Sequence, residues 1–316
     1  MRRQRGIALI LALLALVLAV LLATALIDRG EQTAARWRTG WRAEQSWQLL
    51  QGLELWAREA LLADARDSRS DSLDEPWARE SPVLQVPGGE VRGRLRDLGG
   101  CFNLNSLVKL GDTDALAVQR FQRLLKGLQL PIEIAAQAAD WIDRDSQLQS
   151  GGAEDGHYLA MPPRTRTGNT GFADASELLR LPAMTPEHWQ RLRPLVCALP
   201  SDHRINLNTA PPELWLVLND AMTLAIARRL ARTEARPYSH VTEVQEAMQR
   251  EGLPRQDDMG AFDVLSRYVL IEAEVRADGL DFRYQSLLQR GDGEVRVLAR
   301  ARGGAGSFDR EAAAER

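Results

Sequence analysis

Residues 7–27 read IALILALLALVLAVLLATALI, a run that is apolar but for one threonine. About 21 helical residues at 1.5 Å each reach roughly 30 Å, the thickness of the hydrocarbon core of a bilayer. This segment is therefore predicted to be a transmembrane helix. Arg2, Arg3 and Arg5 precede it, and short basic flanks stay in the cytoplasm, so the chain after residue 27 is predicted to be extracytoplasmic.

Two simpler interpretations of this segment stay open: a cleaved secretory signal and an isolated one-span anchor. Residues 23–25 read Ala-Thr-Ala, the small-residue pattern of a signal cleavage site. Against a signal peptide, residues 31–67 contain no proline and repeat apolar residues at three-residue, four-residue and occasionally longer intervals, which predicts one amphipathic helix continuing from the anchor. The apolar positions of this continuation are Ala34, Trp37, Trp41, Leu49, Leu53, Trp56 and Ala60.

The composition is that of a globular protein that carries one anchor. The chain has 316 residues, of which 45% are hydrophobic and 26% charged, and its formal net charge is −3. The chain has no overall excess of positive charge that would attract a polyanion, which disfavours nucleic acid as a partner. The four histidines are scattered, and no serine-hydrolase, HExxH or phosphate-loop motif occurs, so the protein is not predicted to be an enzyme.

The chain has two cysteines, Cys101 and Cys197. In an oxidising extracytoplasmic compartment, an isolated even pair favours one disulfide over a catalytic thiol, which would need a histidine base placed beside it. Chain-entropy arguments give such a bridge about 4 kcal/mol for a loop of roughly a hundred residues. We therefore predict a structural disulfide.

Strand patterns flank a helical middle region. Residues 83–98 are predicted to form a hairpin, and residues 266–302 three strands joined at Asp-Gly turns at 278–279 and 292–293. Because a two-stranded hairpin is marginal alone, both flanks are predicted to share one antiparallel sheet packed on the long helix. Residues 103–262 carry a series of short helical patterns, which predicts an all-α insertion and an α+β fold class.

Acidic side chains concentrate in one stretch of the insertion. Five carboxylates within sixteen residues repel one another unless a cation or a basic group intervenes. Oxygen donors without a set of cysteine and histidine ligands suit calcium better than zinc. A solvated acidic surface with Arg144 as counter-ion is the alternative, and spacing alone leaves both open. The five candidate ligands are Asp140, Asp143, Asp145, Glu154 and Asp155.

The basic stub ending in Gly6, the apolar helix and its amphipathic continuation resemble the class III leader of type IV pilins and type II secretion pseudopilins. Most members of that family have glutamate at the fifth mature position, and the Leu11 found here resembles the minor pseudopilin K subgroup (general secretion pathway protein K). The motifs that carry the same resemblance are GCFNLNSL at 100–107, DWIDRD at 140–145, GAEDGHY at 152–158, ASELLRL at 175–181 and INLNTAPPELW at 205–215.

This resemblance implies a pilin-like long N-terminal helix packed on a small antiparallel sheet, with a large insertion of sterile-alpha-motif type. It implies cleavage by a prepilin peptidase between Gly6 and Ile7, N-methylation of Ile7, and calcium at the acidic stretch. The expected protein is a single-pass protein of the bacterial inner membrane, with its N-terminus cytoplasmic and its bulk periplasmic. Its expected role is that of a minor pseudopilin at the tip of the pseudopilus, supporting assembly initiation and export of folded proteins across the outer membrane.

The expected partners are the other minor pseudopilins in a hetero-oligomeric tip complex, the prepilin peptidase, and secreted cargo or the outer-membrane secretin, without nucleic acid. The expected divisions are a leader (1–6), a transmembrane segment (7–27), a discontinuous pilin-like domain (28–102 plus 263–303), an insertion (103–262, in subdomains 103–197 and 198–262) and a disordered tail (304–316).

The motif at 205–215 also supports a different class of function, because it is similar to the opening of helix-hairpin-helix modules in membrane-anchored, competence-type DNA receptors. Such modules bind phosphate through backbone N–H groups of a glycine-rich turn. The corresponding turn here, residues 218–223, lacks glycine and carries Asp220, which would repel phosphate. Structural use of the hairpin is therefore favoured, and an extracytoplasmic DNA-binding protein is the alternative.

Overall fold

A computed structural model describes residues 4–79, 81–87, 89–160, 162–231, 237–277, 279–291 and 293–302, with side chains from residue 9 onward. The first helix, α1, runs over Gln4–Asp67, and its 64 residues give a length of about 96 Å at 1.5 Å each. Its first part is exposed, apolar and long enough to cross a bilayer. The predicted continuous helix is thus confirmed, and its apolar first part fits the predicted single-pass anchor.

The remaining helices are short. They are α2 (Ala115–Gly127), α3 (Glu133–Ile142), α4 (Asp155–Ala160), α5 (Pro186–Leu192), α6 (Leu224–Leu230) and α7 (Val241–Arg250). Five 3₁₀ helices are described at Pro76–Ala78, Leu104–Leu107, Ala175–Arg180, Arg193–Leu195 and Pro212–Val217.

The strands comprise long ones at the flanks and two-residue ones within the insertion. In chain order they are β1 (Leu84–Val86), β2 (Gly89–Asp97), β3 (Phe102–Asn103), β4 (Val108–Lys109), β5 (Asp112–Thr113), β6 (Val196–Cys197), β7 (Ile205–Asn206), β8 (Phe262–Asp263), β9 (Tyr268–Ala277), β10 (Leu280–Gly291) and β11 (Glu294–Arg302).

One five-stranded antiparallel sheet has the order β1-β2-β9-β10-β11. Strand β2 pairs directly with β9, with Leu95 opposite Ile271, so the two flanks of the chain do form a single sheet as predicted. Alternation places Val91, Gly93 and Leu95 on the face that packs against α1. The α+β class and the helix-on-sheet arrangement are confirmed.

The buried face of α1 matches the predicted apolar positions only in part, since Leu53 is buried but others are not. Trp56 and Trp41 are exposed, the latter at 68%, while Leu49 is half-buried. Gly93 leaves room for Leu53, since a Cβ built on Gly93 would lie 2.5 Å from a Leu53 methyl carbon, and this close approach fixes how the helix is rotated. The apolar residues of α1 that are buried on the sheet are Leu50, Leu53, Ala57 and Leu61.

The insertion has a continuous hydrophobic core that includes residues from both of its predicted halves. Phe121 stacks on Phe102 with ring centroids 4.9 Å apart, and Trp215 is fully buried. Two segments predicted to be helical, 175–180 and 212–217, form 3₁₀ helices. The domain boundaries, including the division at residue 197, stay predictions, and the tail from residue 304 lies outside the described residues.

The insertion leaves the sheet at the end far from the membrane anchor. Near the anchor-proximal end of the sheet, Tyr284 Oη lies 2.6 Å from Ser46 Oγ of α1, whereas Arg290 of the same strand contacts Asp64 in the last turn of α1. The insertion attaches beside Arg290, because Gln289 pairs with Tyr268 at the start of β9. The insertion therefore lies beyond the membrane-distal end of α1.

A disulfide joins Cys101 to Cys197, with the Cα atoms 5.9 Å apart. It lies beside the parallel pair of β3 and β6 and packs against Tyr268 and Leu270 of β9. The bridge therefore ties the first half of the insertion to its point of attachment on the sheet.

Candidate metal centre

The acidic stretch folds back on itself between α3 and α4. Asp140 lies in the last turn of α3, and Asp143 is the C-cap residue, whose extended backbone (φ −71°, ψ 172°) turns the chain out of the helix. The chain returns through Gly151, at φ +81°, and Gly152. A Cβ on Gly152 would collide with a carboxylate oxygen of Asp140, so glycine allows this close approach.

Three carboxylates converge across this loop, with one oxygen of each of Asp143, Asp145 and Glu154 lying within 4.8 Å of the others. Asp140 lies beneath them at 0% exposure and Asp143 is 2% exposed, while Asp145 is exposed to solvent. The structure thus builds a pocket of oxygen ligands that is buried on one side and open on the other.

Several oxygens of this pocket have no partner in the described part of the chain. Asp140 Oδ1, Asp143 Oδ1 and Glu154 Oε1 are buried without a hydrogen bond. In two of these residues the second oxygen is held, since Gln149 N donates to Asp140 Oδ2 (3.3 Å) and Thr113 Oγ1 to Asp143 Oδ2 (3.0 Å). Buried polar atoms normally have hydrogen-bond partners, and carboxylate oxygens are the donors that calcium accepts, so this donor set fits the predicted ion.

Burial and mutual repulsion also shift the pKa values of the carboxyl groups in this pocket. Burial raises the pKa of Asp140 to about 6, and the neighbouring Asp143 and Asp145 add to this shift. Burial likewise raises the pKa of Glu154 to about 7, with repulsion from Asp140 and Asp143. Burial also raises the pKa of Asp143. Carboxyl groups whose ionised form is destabilised by burial and mutual repulsion are suited to bind a cation.

Asp155, the fifth candidate, is separated from the other four. Its Oδ1 accepts hydrogen bonds from Thr167 N and Thr167 Oγ1, both at 2.9 Å, and its Oδ2 lies 3.7 Å from Arg166. These bonds lower the pKa of Asp155. Among the described residues Arg144 makes no ion pair with these acids. The counter-ion expected for the alternative, a solvated acidic surface, is therefore not found there. Ligand identities stay predictions.

Sequence reasoning missed the groups that orient the ligands. Thr113 of β5 and Gln149 of the loop contact each other at 2.7 Å, and together they hold the oxygens of two aspartates. A threonine far from the acidic stretch in sequence gives no motif by which to find it. Gly6 and Ile7, the predicted processing site, are helical in backbone, but their side chains lie outside the described residues.

The helix-hairpin-helix candidate has a structural explanation. Asp220 receives two hydrogen bonds from Arg123, at 2.7 and 2.9 Å, so the hairpin turn is tied to α2. Thr223 caps α6 by accepting a hydrogen bond from Ile226 N (3.3 Å). Asn208 of the preceding motif bonds the backbone of Tyr238 on both its N–H (2.8 Å) and carbonyl (3.0 Å). The conspicuous polar residues of this region thus hold the insertion together.

Comparison with known proteins identifies the family. The family model described as "Type II secretion system (T2SS), protein K" matches residues 100–201. The type II secretion system protein K of Pectobacterium carotovorum subsp. carotovorum is 32% identical over 321 residues, which cover 96% of this chain and 97% of the relative. The chain belongs to the type II secretion system protein K family. Its relative in Pseudomonas aeruginosa is 33% identical over 96% of this chain and 95% of its own length.

A solved protein K structure has the same fold. It is described as the crystal structure of the GspK-GspI-GspJ complex from the enterotoxigenic Escherichia coli Type 2 Secretion System, and matches with a TM-score of 0.71 and 26% identity over 85% of this chain and all of that chain. The subgroup assigned from sequence motifs is confirmed. The protein K family consists of structural pseudopilins of type II secretion, which fits the expectation of a non-enzyme.

Proposed function

We propose that this protein K family member is the minor pseudopilin at the tip of the type II secretion pseudopilus, where it starts assembly and supports export of folded proteins across the outer membrane. The observation that carries this proposal is the position of the insertion, residues 103–262, beyond the membrane-distal end of α1. Subunits that stack through parallel helices lie one above another, and this head fills the space that a subunit above it would need.

The residue Leu11 supports the same placement. A carboxylate in the apolar helix is costly without a partner, and in related pseudopilins a glutamate at this position would neutralise the amino terminus of the subunit ahead. Leu11 carries no charge and is exposed on α1. A subunit without a neighbour ahead of it needs no such carboxylate.

The proposed partners are the counterparts of GspI and GspJ, because those two proteins accompany GspK in the similar structure. Prepilin peptidase would cut between Gly6 and Ile7 and methylate Ile7, leaving α1 in the bacterial inner membrane with the N-terminus cytoplasmic and the bulk periplasmic. The head is then free to contact cargo or the secretin. Amino-terminal sequencing of the membrane-extracted protein tests processing: a start at Ile7 supports it, and a start at Leu26 contradicts it.

The tip position is tested by labelling. Leu110, in the turn between β4 and β5, is 95% exposed, so a short epitope inserted after it leaves the core intact. Gold-conjugated antibody on pseudopili assembled with this variant is expected at filament ends only. A matched epitope on the major subunit should label the whole length. Gold spaced along filaments through the head epitope would refute the tip position.

Calcium is proposed as the ion of the acidic pocket, held by Asp143, Asp145 and Glu154 with Asp140 beneath. The support is the set of buried oxygens that lack donors. Chelation should lower the melting temperature of the parent protein, and this shift should be smaller in Asp143→Ala combined with Asp145→Ala. A parent protein whose melting is indifferent to chelation would exclude the metal, without affecting the tip proposal.

A further inference from the structure

A second group of acids lies at the junction between α1 and the insertion. Asp64 lies in the last turn of α1, Asp71 in the segment that follows, and Glu75 just before the 3₁₀ helix Pro76–Ala78. One carboxylate oxygen from each of the three lies within 4.8 Å of the others. These residues belong to different elements from the acidic pocket around Asp143.

Each of the three carboxylates has one oxygen that accepts hydrogen bonds from protein donors. Asp71 is 1% exposed, and its Oδ1 is buried without a hydrogen bond. For Asp64 and Glu75, no donor to the second oxygen occurs among the described residues. Carboxylates that bind a metal are commonly held in this way, with outer donors on one oxygen while another coordinates the ion. The donors are Arg290 to Asp64 Oδ2 (3.0 Å), Arg290 and Ser266 N to Asp71 Oδ2, and Trp77 Nε1 (2.7 Å) and Ser72 N (3.1 Å) to Glu75 Oε2.

Arg290 does not balance the charge of this group. Three carboxylates and one guanidinium leave a net charge of −2, and the side chains of Asp64 and Arg290 are only 13% and 10% exposed. Burial raises the pKa of Asp64 to about 6, with further repulsion from Glu75 and Asp71. Burial also raises the pKa of Glu75. The cluster is therefore short of positive charge.

We propose that Asp64, Asp71 and Glu75 form a second site for a hard divalent cation of the calcium or magnesium class. Three carboxylate oxygens, completed by water, are ligands that such ions accept. The site would connect the end of α1 to the base of the insertion, because the Asp71 backbone donates to Val264 O (2.8 Å) and accepts from Asn206 Nδ2 (3.1 Å). The ion would fix the head relative to the membrane helix.

The position of Trp77 provides a direct readout, because its indole contacts a proposed ligand and can sensitise bound terbium. We would titrate Tb³⁺ into the full-length protein in detergent, in an Asp143→Ala, Asp145→Ala background that disables the first pocket. Excitation of tryptophan is expected to give terbium emission that Ca²⁺ displaces. Glu75→Gln should weaken this binding at least tenfold, while Asp67→Asn, an exposed neighbour on α1, should leave it unchanged.

Asp64→Asn serves as a second ligand variant if Glu75→Gln proves unfolded by circular dichroism. Trp77→Phe should remove the emission while Ca²⁺ still binds in equilibrium dialysis. The proposal is overturned if the background protein binds no Tb³⁺, in which case protons neutralise the cluster. It is also overturned if Glu75→Gln or Asp64→Asn is folded and binds Tb³⁺ as well as the background protein does. Either result leaves the proposed tip function untouched, since neither depends on filament position.

Discussion

Replacing Asp140 by asparagine is expected to stabilise the metal-free protein and to weaken its response to calcium. The pKa of this buried carboxyl rises from 3.8 to about 6 on folding, because burial penalises its charged form and nearby carboxylates repel it. At 1.36 kcal/mol per pKa unit, the ionised side chain costs the native state at most about 3 kcal/mol. Asparagine keeps an acceptor for Gln149 N, and its amide donates toward the neighbouring carboxylates.

The sign of the pH dependence follows from linkage. Between about pH 4 and pH 6 the native protein holds a proton on Asp140 that the unfolded chain has lost, so stability falls as the pH rises through this window. Above pH 6 the full cost is present. Asp140→Asn should therefore raise the free energy of unfolding at pH 7, and should match the parent at pH 4.

The assay is urea unfolding followed by far-UV circular dichroism, at pH 7 and pH 4, in EDTA and in calcium. Calcium at a hundred times the dissociation constant of this pocket should stabilise the parent by about 2.7 kcal/mol more than it stabilises Asp140→Asn. Asp155→Asn is the matched control, with the opposite sign expected, because the hydrogen bonds from Thr167 lower the pKa of Asp155. Equal stability of the parent and Asp140→Asn in EDTA at pH 7, or an equal gain from calcium, would refute the reasoning.

Three further perturbations test the packing of the fold. Gly93→Ala places a methyl group against Leu53 and should lower the unfolding free energy by about 1–3 kcal/mol in denaturant. The double variant with Leu53→Ala should lose less than the sum of the two single variants, and simple additivity would contradict the contact. Cys197→Ser opens a disulfide that spans 96 residues and should lower the unfolding free energy by about 4 kcal/mol, whereas a loss below about 1 kcal/mol would show that the bridge adds little. Burial raises the pKa of Glu54, but hydrogen bonds from Arg300 and Ser286 more than offset this effect, so the net pKa is lowered. Glu54→Gln should therefore destabilise the protein at pH 7 by about 1–3 kcal/mol, and the difference should shrink as the pH falls below about 4. A difference in stability that does not depend on pH would argue against the ion pair.

The anchor, the long helix and the sheet could be predicted because their signals are local or repeat with a fixed period. The apolar run at 7–27 is long enough to span the hydrocarbon core of a bilayer, and residues 31–67 contain no proline that would end the helix. In β2, the alternation of Val91, Gly93 and Leu95 against arginines specifies which face is buried.

The rotation of α1 could not be predicted in the same way. Its sequence carries two apolar stripes, one through Leu49 and Trp56 and one through Leu50 and Ala57, and both have helical spacing. Periodicity shows that a helix has an apolar face, and it does not show which of two faces meets the sheet. The close approach of Leu53 to Gly93 determines which face of α1 packs on the sheet.

The sequence by itself determined the membrane anchor, the order of helices and strands, the fold class, the family and the stretch in which acids accumulate. The tertiary structure decided which carboxylates share a pocket. Asp155, adjacent to Glu154 in sequence, bonds Thr167, whereas Asp64 and Asp71 are brought together with Arg290 of β10. The physical reason is that charge and hydropathy patterns are properties of neighbours along the chain. Ligand convergence depends instead on angles between elements, and long-range packing sets those angles.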